Sequence, residues 1–124
     1  MKIVSCIDWE RKAQKKMKVD ELTGFGFKAL TLPDGKREIQ GVYIGDLLSW
    51  VMGRAQADNA WITIMSNVNV IAVASLADTA CVILAEGVTM EESLLTTASN
   101  KNVNIFTSEL PAYETALKLA EITA

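Results

Sequence analysis

The sequence has no histidine, and its two cysteines, Cys6 and Cys81, stand far apart with no C-x-x-C pair. The common zinc and iron ligand sets cannot be assembled from such a chain, nor can a Ser-His-Asp or Cys-His catalytic arrangement. No metal and no cofactor are therefore expected. A disulfide framework is not expected either, and Cys81 falls in a strand pattern, where a free thiol serves as a small core hydrophobe. Long apolar runs are also missing. The nearest approach, residues 68–77, contains Asn69, is flanked by Asn67 and Asp78, and falls well short of the ~18 to 20 residues of a membrane span. The opening apolar run is too short for a signal peptide and carries no cleavage-type sequence. These absences lead us to expect a cytoplasmic protein that does not enter a membrane.

Phosphate-binding loops are absent as well. Asp34-Gly35-Lys36-Arg37 holds a Gly-Lys pair without the earlier glycine or the following hydroxyl, so it is no G-x-x-x-x-G-K-[ST] loop. Gly24-Phe25-Gly26 begins a G-x-G pattern that finds no third glycine. An enzyme built from this chain would have to work with carboxylates, lysines and hydroxyls alone, and none is expected.

What is present is a chain of 124 residues, half of them apolar and 22% charged, enough for one domain with a real core. Residues 1–16 carry five cations against Asp8 and Glu10, a net of +3, so the overall charge of −3 leaves −6 on the remainder. An acidic body does not attract nucleic acid, and the basic run at 11–16 reads as a solvated face. We treat 1–16 as an extension that contains a strand at 3–7 and a helix over 10–18 if it folds, with Met17 as an alternative natural start. Residues 17–124 form the single domain.

The chain is organised around residues 60–87. Strands are expected at 61–64 and 81–84, joined by a crossover long enough for a β-α-β unit. The crossover, 68–77, is ambiguous because Val68, Val70, Ile71 and Val73 favour strand, while its small apolar surface suits a helix pressed on a sheet. We read helix, capped by Ser66 or Asn67 and followed by Asp78. Upstream, a short helix over 19–23 is closed by Gly24, strands fall at 27–32 and 38–44 around a turn at 33–35, and Asp46 and Gly53 bracket a helix. Downstream, Thr89-Met90-Glu91-Glu92 reads as a capping box, a strand follows at 103–106, and Ser108 caps a last helix with Pro111 in its first turn. The expected fold is α/β: a small three-layer-like domain with a parallel β-α-β-α-β core and flanking helices, preceded by a short β and helix portion.

Ligands of open parallel sheets lie beyond the carboxyl ends of the strands. Ser66, Asn67, Glu86, Gly87, Thr107 and Ser108 would gather there, at helix starts whose free amides can receive an anion; the plainer reading makes Ser66 or Asn67 and Ser108 helix caps. Glu86 and Glu109 make the edge less welcoming to phosphate. Tyr43, Trp50 and Trp61 suit core or dimer packing better than stacking on a base.

The runs at 41–53, 60–64, 70–76, 82–87 and 106–110 resemble the small stand-alone DRTGG-domain proteins. The resemblance covers roughly residues 17–122. Related domains occur in CBS-containing pyrophosphatases and in phosphotransacetylases, and small members are often labelled kinases of the phosphocarrier HPr, an activity this chain lacks the phosphate loop to perform. The resemblance implies a regulatory or scaffolding module, commonly dimeric, with adenine nucleotides as effectors in some contexts. The family's signature turns correspond to 65–67 and 85–87, of which only Gly87 is kept. The arginine is lost and Glu86 gained, which weakens any inherited anion site, and the glycine pair before Tyr43 is reduced to Gly41. The expected function is a non-catalytic module that self-associates, with Tyr43, Trp50 and Met52 on the dimer or partner face. It binds a nucleotide or phosphorylated small molecule at the strand ends. The alternative is a ligand-free dimeric adaptor that docks a partner enzyme.

Overall fold

The computed structural model describes residues 17–123. The strand and helix expected within 1–16 lie outside them. Met17 and Lys18 are extended rather than helical: Lys18 pairs with Glu38, and the Ile39 amide donates to the Met17 carbonyl at 2.8 Å. A 3-10 helix at Val19–Phe25 follows, two residues longer than expected.

Five strands form one sheet: β1 (Lys28–Thr31), β2 (Val42–Ile44), β3 (Ala60–Thr63), β4 (Cys81–Leu84) and β5 (Ile105–Thr107). Their order is β1-β5-β4-β3-β2, with β2 to β5 parallel and β1 antiparallel to β5. The expected parallel core of three strands is therefore four strands wide. β2 joins it through the register Val42 with Ala60 and Ile44 with Ile62. Only 42–44 of the strand expected at 38–44 are extended on the ladder, because Glu38 turns away to bridge Lys18.

Four helices complete the domain: α1 (Leu48–Arg54), α2 (Val68–Ala77), α3 (Glu92–Asn100) and α4 (Ala112–Thr123). Right-handed crossovers between successive neighbouring strands place α1, α2 and α3 on one face. Alternation along the strands then builds two cores. Trp61, Val82, Leu84 and Ile105 point to the three-helix side, with Val70, Ile71 and Ala98. Ala60, Ile62, Cys81, Ile83 and Phe106 point to the other, where Leu119 of α4, Leu22 and Phe27 cover them. The result is the expected α/β class, three layers deep.

Helix α2 has the expected bounds. The Asn67 side chain accepts from the Asn69 amide at 2.9 Å, and Asp78 ends the helix in the left-handed region at φ 60°. Other helix starts differ from expectation. α1 begins after Leu47 with no side-chain cap, and Gly53 lies inside it. α3 begins after Glu91, again uncapped by a side chain, so no capping box forms at 89–92. Ser108 is too far upstream to cap α4, and the Pro111 carbonyl takes the first helical bond from the Thr115 amide at 2.9 Å.

Candidate functional site

The carboxyl ends of β2 to β5 face one edge of the domain, together with the starts of α1 to α4. Asp46 is bound there by β3 and not by its own helix. Its Oδ1 accepts from Thr63 Oγ1 at 2.7 Å and from the Ile64 amide at 2.9 Å, and Thr63 Oγ1 in turn accepts from the Met65 amide at 3.1 Å. The Trp61 indole donates to the Gly45 carbonyl at 2.9 Å from a fully buried position. Trp61 is thus a core residue whose polar edge shapes the β2–α1 turn.

The sequence-predicted residues divide into two sets. Ser66 and Asn67, between β3 and α2, are partly buried and exposed respectively. Asn67 caps the helix, whereas the amides of Ser66 and Asn67 find no backbone acceptor among the described residues. The remaining four are occupied by the protein. The Glu86 amide donates to the Leu110 carbonyl at 2.9 Å and the Gly87 amide to the Ser108 carbonyl at 2.7 Å. Buried Thr107 donates its hydroxyl within reach of two carbonyls, Val88 at 2.7 Å and Leu84 at 3.4 Å. Buried Ser108 shares a hydrogen bond with Thr115 Oγ1 at 2.9 Å and accepts from the Leu110 amide at 3.1 Å. These contacts lock the β4–α3 and β5–α4 turns together. Glu86 and Gly87 both turn left-handed, at φ 60° and 72°, and a Cβ on Gly87 would lie 3.0 Å from Glu109 Oε1.

The edge is acidic. Asp46, Glu86, Glu91, Glu92 and Glu109 all stand exposed on it, and Lys28, opposite Thr107 at the start of β1, is a cation on the same side. Tyr43 lies half-buried on β2 against the three-helix core, while Trp50 and Met52 are exposed on α1. The Arg54 guanidinium stacks on the Trp50 ring at 3.8 Å, so one face of that ring is already covered.

At the opposite edge a cavity of about 110 Å³ is lined by Arg37, Ser75, Asp78, Thr79, Lys101 and Asn102, among others. This cluster is invisible in the sequence, because Arg37 reads locally as part of a turn and its partners Asp58 and Asp78 lie far along the chain. Its Nε and Nη2 both lie 2.8 Å from Asp58 Oδ1, and Nη2 also reaches the Asp78 carbonyl and Asp78 Oδ1 at 2.9 Å. Burial works against the Arg37 charge, but its hydrogen bonds to Asp58 and Asp78 more than offset this and raise its pKa. The helix C-termini of α2 and α3 gather here, so the field disfavours an anion, and Arg37 is held by the carboxylates of Asp58 and Asp78. Beneath, Cys81 is wholly buried, and burial pushes its thiol up to about 12 although Arg37 pulls the other way. It stays a neutral hydrophobe. Among the described residues no group of three or more acids and cysteines could hold a metal ion, and no helix is long and apolar enough to cross a membrane.

The fold has a solved counterpart. It matches the crystal structure of the CBS and DRTGG domains of the regulatory region of Clostridium perfringens pyrophosphatase, complexed with the activator diadenosine tetraphosphate. The TM-score is 0.70 at 11% identity, over 97% of this chain and 56% of that one. The chain thus spans just over half the length of that structure. Such a likeness defines a class by fold, that of a DRTGG-like α/β domain. No family model and no curated protein matches the sequence.

Proposed function

We propose that the chain is a non-catalytic regulatory module that self-associates and binds a small ligand, an adenine nucleotide being the first to test, at the carboxyl ends of its strands. The observation that carries this reading is the shared fold, over 97% of the chain, with a regulatory region crystallised with a nucleotide activator. Within that edge the reading centres on Ser66 and Asn67, whose amides are free of backbone partners at the start of a ten-residue helix; such amides suit a phosphate oxygen. Glu86, Gly87, Thr107 and Ser108 contribute by shaping the neighbouring turns, and the exposed Glu86 carboxylate is an acceptor for ribose or base donors.

Thermal unfolding with and without ATP, ADP, AMP and diadenosine tetraphosphate tests this. A ligand at 100 times its dissociation constant adds about 2.7 kcal/mol to stability. Ser66→Asp leaves the Asn67 cap in place and sets a negative charge at the free amides. It should remove the shift while leaving the unliganded melting point nearly unchanged. A shift that persists in Ser66→Asp moves the site elsewhere, and no shift with any nucleotide removes the ligand. The second reading, a ligand-free adaptor docking a partner enzyme through Trp50 and Met52, is favoured by one observation: the amides of Glu86 and Gly87 are already spent on backbone carbonyls.

A further inference from the structure

We draw no further inference here: the strongest candidate, the exposed apolar stripe of Val68, Ala72 and Leu76 along the outer face of the uncharged helix α2, is a surface patch for which nothing in the structure shows what covers it.

Discussion

Asn104 is 2% exposed, yet its amide group is fully employed. Nδ2 donates to the Asp34 carbonyl at 3.0 Å and the Ala80 carbonyl at 2.9 Å, and Oδ1 accepts from the Asp34 amide at 2.9 Å. One side chain thus pins the turn after β1 to the residue before β4. Asn104→Ala would leave the buried Ala80 carbonyl and the half-buried Asp34 amide without these partners, each costing about 1–3 kcal/mol when unpaired. We expect a loss of about 3 kcal/mol in urea unfolding, with native circular dichroism retained. Cys81 offers a pH test. Its ordinary value is 9.0 and its folded value about 12, so above pH 9 the unfolded chain releases a proton that the native state keeps. Its contribution is fully present below pH 9 and is lost as pH rises toward 12, at about 1.4 kcal/mol per pH unit. Cys81→Ala lacks this term. The stability gap between wild type and Cys81→Ala, measured by urea unfolding at pH 7.5 and again at pH 10.5, should shrink at the higher pH, where other groups cancel in the difference.

The turns between strands and helices decide how the elements meet, and the β4–α3 turn holds two successive left-handed residues, Glu86 and Gly87. Two successive left-handed residues are uncommon when one is not glycine. Glu86→Gly should stabilise by up to about 1 kcal/mol, and Gly87→Ala should destabilise by at least that amount, because φ 72° strains any Cβ whatever Glu109 does. Thermal melts of both variants check the opposite signs. At this scale the sequence was legible where signals are local. Asn67 and Asp78 bound α2 correctly although its β-branched residues argued for strand, and Cys81–Leu84 was readable as an unbroken apolar run. It was illegible where the partner lies far along the chain. Asp46 looks like a helix cap, but its better donors, Thr63 and Ile64, arrive from β3. Thr89 and Ser108 suffered the same ambiguity, since a hydroxyl near a helix start reads alike whether it faces that helix or another turn. The fourth parallel strand was blurred because β2 is three residues long. The direction of β1 follows from closing against β5, which no local pattern encodes. Of the candidate site, the edge itself was legible from strand order; that Glu86 and Gly87 spend their amides on 108 and 110 was not.

Across the whole molecule, acids without an ion-pair partner among the described residues gather at one edge. Arg37, Arg54 and Lys101 lie where the strands begin and the helices end, together with Asp58 and Asp78, which hold Arg37, while Asp46, Glu86, Glu91, Glu92 and Glu109 lie where the strands end, with Lys28 a cation on that side. Helix N-termini partly offset the second group, each acting as about half a positive charge over its first turn. A polyphosphate approaching Ser66 and Asn67 therefore meets favourable amides within a repulsive surround of like charge, which acts over a Debye length of about 8 Å at physiological ionic strength. A divalent cation carried on the nucleotide removes most of that repulsion and can also be shared with an edge carboxylate. The nucleotide-induced melting shift should accordingly be larger with magnesium than with a chelator. It should also depend on ligand charge, with AMP least affected by the metal and diadenosine tetraphosphate most. Glu86→Gln should narrow the gap between the two conditions by removing one of the repelling charges while keeping its side chain nearly isosteric. Equal shifts with and without magnesium would mean that the phosphates do not sit at this edge, since no arrangement of these carboxylates is indifferent to several negative charges arriving unaccompanied.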